Sequence, residues 1–435
     1  MIKYTFINST KILLLIAFFF VEFSFSQNNA VIDTSNVTYR ENLSKFYDIQ
    51  TSKTEKTINS ITDKKVKKQF LLDYSDNKKE FKELIKKGIF IEHKSYSTLI
   101  DEILNEIKAA NPTFNLDDIK LLIGISEEVN AYNCGDEIIV INMPLLFKSN
   151  NKYELAYVIA HEISHQKLNH VYNSMLTRYK KINSEELKNQ VNTIDKQKFN
   201  KNSSAVNLIK KIIYTTREES RKNEKQADSL GYVLFKNTYP EYNNYAIETL
   251  KNLKSIDKER DSLSKLDFEK YFQVNNLKFN NDWLASEISN YNYQKNDKFW
   301  NVDSLRTHPD CDERILQLKK NFTIQDKLKN IDNNNFTILK QNADNEFVLG
   351  LYFIEEYGKS LYYSLLKLKN KPDEAYLKKM IYENLIKLRD ARNDYTLSKY
   401  LQTENPKFSE SYNQYLCLIR NLRKNELNQI IEFYK

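Results

Sequence analysis

The spacing of apolar residues along the chain predicts a mostly helical protein. In residues 96–109 (YSTLIDEILNEIKA) apolar side chains recur every three or four positions, which is the period of an amphipathic helix. Similar spacing predicts helices over about 64–87, 153–180 and 206–236. The lysine- and asparagine-rich insertion at about 183–204 fits a helical excursion between the last two.

Two short apolar runs predict β-strands between the first helices and the 153–180 helix. They are IKLLIGI at 119–125 and EIIVIN at 137–142, and they flank the turn-rich stretch NAYNCGD. The last third, about 325–435, shows no strand pattern, and its amphipathic segments predict paired helices. Pro372 and Pro406 lie 34 residues apart (406 − 372), the period of a tetratricopeptide helix pair, so a repeat is one interpretation of this region.

The N-terminus has the pattern of a secretory signal peptide. Basic residues precede an apolar run at 12–21, and small residues follow up to Ser26, where cleavage is expected. The run is about half of the roughly 20 apolar residues that span a bilayer. The sequence therefore predicts an exported protein, periplasmic or secreted, with no integral membrane segment once 1–26 is removed. Residues 27–60 are polar with little periodicity, which predicts a flexible N-terminal arm.

Charge and cysteine content exclude two classes of protein. The 66 basic and 58 acidic residues are interspersed, so the net charge of +8 forms no stripe and nucleic-acid binding is not expected. Three cysteines, Cys134, Cys311 and Cys417, are too few for a disulfide scaffold. A single bridge between Cys134 and Cys311 stays open, and Cys417 is expected to be a buried thiol.

The candidate chemistry lies in VIAHEISHQKLNH at 158–170, which holds three of the five histidines. His161 and His165 are four residues apart, so on a helix they share a face and can bind one Zn²⁺. Glu162 can then take the proton of an activated water, the arrangement of an HExxH metallohydrolase. The alternative is an amphipathic helix with surface histidines. His170 is about 140° further round the same helix than His165, so it should point away and have a supporting or structural role.

A third zinc ligand is available in SRKNEKQADSLG at 220–231. Glu224 and Asp228 are four residues apart on a predicted helix, so both carboxylates face one way. Glu224 is then the third ligand, and Asp228 accepts a hydrogen bond from the far nitrogen of a ligating histidine. The alternative is an ordinary solvated face, because charged residues crowd every helix of this chain.

Four motifs together resemble one family of gluzincin-type zinc metallopeptidases. NAYNCGDEIIVINMPLL, ELAYVIAHEISHQKLNH, SRKNEKQADSLG and THPDCDERILQL occur in the order seen in the family of the CAAX prenyl proteases and HtpX peptidases, over about 95–320. The chain is most similar to the exported, BepA-like branch. The resemblance implies an α+β, mostly helical fold: a zincin-type peptidase domain at 61–324 with a small sheet beside the HExxH helix, then a helical domain at 325–435, for which a tetratricopeptide-like repeat is one interpretation.

The resemblance also implies roles for individual residues. It places one Zn²⁺ per chain on His161, His165 and Glu224, with Glu162 as the general base and Asp228 near the site. His308, in LRTHPDCDERIL, is expected over the zinc, where it stabilises the oxyanion or holds the enzyme latent; the alternative is a residue at the start of the helix that follows it. In that alternative, Arg314 is a structural ion-pair partner.

The function that follows is a zinc-dependent endopeptidase for exported, unfolded or misassembled proteins. An extended polypeptide substrate is expected to add to the edge of the sheet by backbone hydrogen bonds. The strand residues expected to form that edge are Ile139, Val140, Ile141 and Asn142. The alternative is a periplasmic chaperone or assembly factor whose helical C-terminal domain binds protein partners and whose zinc site is latent.

Overall fold

The computed structural model describes Ile32 and the ranges 36–256, 261–274, 277–286 and 310–435. The expected signal peptide and His308 lie outside these residues. Helices make up most of the described chain. The α-helices are α1 (Val37–Asn59), α2 (Lys64–Lys86), α3 (Lys94–Ala110), α4 (Met143–Lys148), α5 (Lys152–Lys167), α6 (His170–Ile182), α7 (Glu185–Asp195), α8 (Lys201–Thr238), α9 (Tyr245–Ile256), α10 (Lys265–Phe272), α11 (Cys311–Asn321), α12 (Asn334–Phe353), α13 (Tyr357–Asn370), α14 (Ala375–Asn393), α15 (Leu397–Tyr400), α16 (Glu410–Asn421) and α17 (Lys424–Tyr434).

One four-stranded sheet lies beside these helices. Its strands are β1 (Phe90–Ile91), β2 (Lys120–Gly124), β3 (Ala131–Gly135) and β4 (Ile138–Asn142). Their spatial order is β1-β2-β4-β3, with β2 and β4 parallel and the other two pairings antiparallel. The expectation of a mostly helical α+β fold with a small sheet and a helical C-terminal region is confirmed.

The expected substrate edge is wrong. Residues Ile139, Val140, Ile141 and Asn142 belong to β4, which is central because β2 pairs with one side of it and β3 with the other. Every residue of β4 is buried, as a continuous apolar run in an internal strand should be. The edge strand next to β4 is β3, and the two-residue β1 forms the opposite edge. The polar and glycine-containing stretch NAYNCGD, which the sequence indicates to be a turn, includes β3.

The expected flexible arm is also wrong over residues 37–59. These residues form α1, a helix of 23 residues that packs on α2. Leu43, Tyr47 and Ile58 are buried on one side of it, and the Tyr47 ring lies 4.5 Å from that of Phe81. A few apolar anchors among many polar residues are enough for this packing, although they produce little periodicity in the sequence.

The single helix expected at 153–180 is in fact two helices. α5 ends at Lys167, and α6 begins at His170 after Asn169, whose backbone is left-handed with φ of 53°. This break changes the direction of the chain, so positions after 168 no longer follow the helical phase of α5. The helical insertion is confirmed as α7 and the first turns of α8.

Two large apolar cores hold most of the described elements together, and two smaller clusters hold α1 and α2 against the sheet and α6. The first is built on β2, β4, α3, α5 and the buried end of α8. The second is built on the C-terminal helices together with α10 and Trp283. Helix α12 contributes Ala343, Phe347 and Leu351 to the first core and Val348 to the second. Among the described residues, no helix is both long and apolar enough to cross a membrane.

Candidate metal site

Helix α5 carries the HExxH residues through the middle of the first core. Its N-terminus is capped by Asn151, whose side chain accepts hydrogen bonds from the backbone N–H groups of Tyr153 and Glu154. Twelve of its sixteen residues are buried, so apolar side chains of the core pack against the helix on nearly every side. The histidines therefore stand on a rigid element rather than on a mobile loop.

Helix α8 crosses α5 closely and brings the acidic motif to the histidines. Glu224, Asp228 and Gly231 lie on one buried stripe of α8. A Cβ atom at Gly231 would lie only 2.9 Å from Cα of His161, so glycine is what allows the two backbones to approach. At this separation the carboxylates of α8 reach the imidazoles of α5.

Three side chains from the two helices converge on one point. The Nε2 atoms of His161 and His165 are 3.1 Å apart, and carboxylate oxygens of Glu224 lie 3.5 Å and 3.4 Å from them. A tetrahedral Zn²⁺ with bonds of about 2.0–2.1 Å separates its ligand atoms by about 3.3 Å. The donor set and spacing therefore fit zinc.

The charges around His161 also fit a cation. Burial disfavours protonated His161, but its contacts with Asp228 and Glu224 outweigh burial and raise its pKa to about 10. A raised pKa means that the anionic surroundings favour positive charge at this position. A bound divalent cation satisfies the same requirement.

Glu162 projects beside the three converging side chains and is held by the edge strand. Its Oε2 accepts a hydrogen bond of 2.9 Å from the backbone N–H of Asn133 in β3, and its Oε1 lies 4.0 Å from Nε2 of His161. Burial raises the pKa of this carboxyl group. A raised pKa makes it a better proton acceptor near neutral pH.

Asp228 and Arg314 support His161 from behind. Oδ1 of Asp228 lies 3.0 Å from Nδ1 of His161, on the far side of the ring from Glu224. Arg314, from α11, donates two hydrogen bonds of 2.8 Å and 2.6 Å to the same carboxylate. Burial alone would raise the pKa of Asp228, but Arg314 and then His161 lower it to about 2. This carboxylate stays ionised and can fix the tautomer of His161.

His170 points toward the site, contrary to the expectation from helical phase. Because the chain turns at Asn169, Nδ1 of His170 lies 3.0 Å from Nδ1 of His165. Its Nε2 lies 3.2 Å from the side-chain oxygen of Gln226 on α8. Burial and the neighbouring His165 lower the pKa of His170 to about 4, so it is neutral at neutral pH.

Two supporting groups, Asn133 and Gln226, were not found from the sequence. Asn133 acts through its backbone, which leaves no residue-type signal, and Gln226 sits in a motif rich in polar residues. Arg314 was expected in an ion pair, and the structure supplies the partner, Asp228. No disulfide joins Cys134 to Cys311. His308, which was expected over the zinc, lies outside the described residues.

The sequence model of peptidase family M48 matches residues 94–321. The match runs from the first residue of α3 to the last of α11 and covers 228 of 435 residues (321 − 94 + 1), so it includes β2–β4, α5 and α8. The chain belongs to peptidase family M48. M48 peptidases are metallopeptidases that typically depend on zinc. Comparison with curated protein sequences gives no match.

Proposed function

We propose that this M48 protein is a zinc-dependent endopeptidase in which His161, His165 and Glu224 bind the metal and Glu162 is the general base. The observation that carries the proposal is the convergence of three ligand atoms within 4.8 Å of one another beside a buried fourth side chain, Glu162. Membership in family M48 supports the same reaction class.

Each side chain has a distinct role in the proposed reaction. Bound zinc supplies a Lewis acid that polarises the scissile carbonyl and acidifies a water. Glu162 accepts the proton of the attacking water and delivers it to the leaving amine, while the N–H of Asn133 keeps the carboxylate oriented. Asp228 holds the far nitrogen of His161, and Arg314 keeps Asp228 ionised.

The substrate proposed is an extended polypeptide that pairs with β3. This strand is bonded to β4 on one side only in the described sheet, so its other edge is available for backbone hydrogen bonds. The N–H that holds Glu162 belongs to the same strand, which places any added segment beside the general base. Backbone pairing needs an unfolded segment, so exported proteins that are unfolded or misassembled are the proposed substrates.

Glu162→Gln tests this proposal. Glutamine keeps the shape of glutamate but cannot accept the proton, so casein hydrolysis should fall by about 10²–10⁴-fold. The zinc content of the purified protein should stay at one ion per chain, and chelation should abolish the wild-type activity.

Glu154→Gln is the matched control, since Glu154 is a buried glutamate on the same helix, facing Asn150 and Asn252 rather than the metal triad. It should keep its activity. Undiminished proteolysis in Glu162→Gln would overturn the role of the base. A wild-type protein that binds unfolded casein without cleaving it would instead indicate the assembly-factor alternative.

A further inference from the structure

A cavity lies next to the proposed substrate-binding strand but apart from the metal triad. Its volume is about 1050 Å³, just above the roughly 300–1,000 Å³ typical of ligand pockets. Residues 127–130, which line it, lead directly into β3, whereas the metal triad and Glu162 do not line it. The cavity is therefore placed beyond one end of the edge strand.

The loop at 127–130 is fixed to the sheet at this end. The backbone N–H of Asn142, the last residue of β4, donates a hydrogen bond of 3.0 Å to the carbonyl of Asn130, and its side chain donates to the carbonyl of Glu128 at 3.2 Å. Lys359 of α13 forms an ion pair of 2.9 Å with Glu127. The edge of the sheet thus runs continuously into the wall of the cavity.

The walls are rich in aromatic rings. Adjacent rings lie 4.8–5.5 Å apart between centroids in the pairs Tyr362–Tyr412 and Phe147–Phe347. The six aromatic residues of the lining are Phe147, Phe347, Tyr362, Tyr363, Phe408 and Tyr412. Four lysines and four acidic residues also line the cavity, so their formal charges cancel. Such a surface selects aromatic and large apolar side chains rather than a net charge.

We infer that this cavity binds aromatic or large apolar side chains of the polypeptide substrate on the C-terminal side of the scissile bond. The inference rests on the proposed function. Antiparallel pairing outnumbers parallel pairing, and in an antiparallel pair the C-terminal part of the substrate lies against the N-terminal end of β3. That end is Ala131, which follows the cavity-lining loop directly.

The distance along the strand sets the position of the recognised side chains. Asn133, which holds Glu162, is three residues from Asn130 at the cavity (133 − 130), or about 10 Å at roughly 3.3 Å per residue. Substrate residues about three or more positions after the cleaved bond therefore reach the aromatic walls. Shorter substrates bind only to β3 and the metal site.

Peptides extended on either side of a cleavage site test the inference. The starting peptide contains a casein cleavage site mapped by mass spectrometry and ends two residues after the cleaved bond. A C-terminal extension of about six residues that includes two phenylalanines should lower KM by about tenfold. The same extension with serines in place of the phenylalanines should not, and neither should an N-terminal extension with phenylalanines. Equal gains from both ends, or no gain, would overturn the inference.

Asn370→Trp tests whether the gain arises in the cavity. Asn370 is the exposed last residue of α13 and lines the cavity, so a tryptophan there should fill part of it and abolish the KM difference between long and short peptides. Lys379→Trp places the same side chain on an exposed position of α14 outside the lining and should keep the difference. Phe408→Ala removes an aromatic ring of the lining, so it should reduce the KM difference without adding bulk. Equal KM ratios in Asn370→Trp and Lys379→Trp would contradict the inference.

A binding measurement separates failure of this inference from failure of the proposed function. The anisotropy of a fluorescently labelled casein-derived peptide that carries the phenylalanine extension, and whose choice needs no mapped cleavage site, is measured with Glu162→Gln, in which no turnover interferes. Tighter binding than the serine peptide, lost in the Glu162→Gln/Asn370→Trp double variant, supports the cavity even if no peptide is ever cleaved. Equal affinities for the two peptides would refute the cavity even if casein is cleaved.

Discussion

Asp228 joins the candidate metal site to the rest of the protein through two charged contacts. It is buried between Arg314 and His161, and its pKa is about 2 instead of 3.8. Such a lowered pKa in the folded state means that the ion pair contributes stability above the unfolded pKa of 3.8, and that this contribution is lost as the pH falls through about 2.

Asp228→Asn should therefore destabilise the metal-free protein in a pH-dependent manner. Near pH 6 the free energy of unfolding should fall by about 3 kcal/mol, because Arg314 is left as a buried unpaired charge. Near pH 3 the difference from wild type should be smaller by about 1 kcal/mol, because Asp228 of the unfolded wild-type chain is already largely protonated below 3.8 while folded Asp228 stays ionised. Urea unfolding of both proteins at pH 6 and pH 3, with a chelator present, measures these free energies of unfolding.

Asp118→Asn is the control for this pH dependence. Asp118 pairs with Lys53 at the surface, with a side chain 60% exposed, so its removal should change stability by less than about 1 kcal/mol at either pH. A cost for Asp228→Asn that grows toward acidic pH would contradict the assignment of the ionised state.

His170→Ala should weaken zinc binding without removing a proposed ligand. The His170 ring contacts the far nitrogen of His165, and loss of such a support typically lowers metal affinity by about 10–100-fold. Competition with a chelating dye measures this affinity. His93→Ala removes another buried histidine, one stacked on Tyr96 at 3.9 Å, and should leave zinc affinity unchanged. Equal zinc affinities in the two variants would show that His170 is only a packing residue.

At the scale of elements, the crossing of α5 and α8 determines where the candidate ligands meet. Helix α5 contributes two of these ligands and α8 one, and the two backbones lie close together at Gly231 and His161. Because the nearest atoms belong to backbone, a larger residue at 231 cannot be accommodated by a side-chain rotation.

Gly231→Ala should consequently push the helices apart. We expect a loss of about 1–3 kcal/mol of stability from overpacking, together with weaker zinc binding. Gly350→Ala is the matched control: it is also a buried helical glycine, but an added Cβ would meet only side-chain atoms, the nearest at 3.2 Å on Ile125. Denaturation and zinc titration of both variants distinguish them. If the Gly231→Ala protein bound zinc as tightly as the Gly350→Ala protein, the proposed role of the helix crossing would be contradicted.

At the scale of the whole molecule, α12 joins the two apolar cores. It follows the expected peptidase region, whose boundary at 324 stays a prediction, yet Leu351 and Phe347 are buried in the first core while Val348 is buried in the second. Residues 263–274 and Trp283, which lie within the matched range 94–321, are also part of the second core. The C-terminal helices are thus packed on the metal-site region, and the two cores are expected to unfold together.

Leu351→Ala measures this coupling. A buried leucine replaced by alanine costs about 2–5 kcal/mol, and the loss should appear as a shift of one cooperative transition in calorimetry. Leu316→Ala, at a position 68% exposed on α11, should shift it by less than about 0.5 kcal/mol. Two transitions, of which Leu351→Ala shifts only one, would show that the cores are independent.

Local patterns in the sequence were sufficient for most helices and for the candidate ligands. Residues four apart on a helix lie one turn above each other. Helical periodicity alone therefore puts His161 and His165 on one face of their helix, and Glu224 and Asp228 on one face of a second helix. The sequence also indicated the family resemblance, which the match to peptidase family M48 bears out at the coarser level. Ligation of zinc stays a proposal.

Only the tertiary structure decided what depends on contacts between distant segments. Which strand is the edge depends on pairing order, and the polar stretch 131–135 takes that place while apolar β4 lies between two partners. One left-handed residue, Asn169, redirects His170 toward the metal triad. Sparse anchors such as Leu43 and Tyr47 order α1 once α2 is beside them. Local propensity is set by neighbours in sequence, whereas edge positions and chain reversals are set by packing free energy that exists only in the assembled fold.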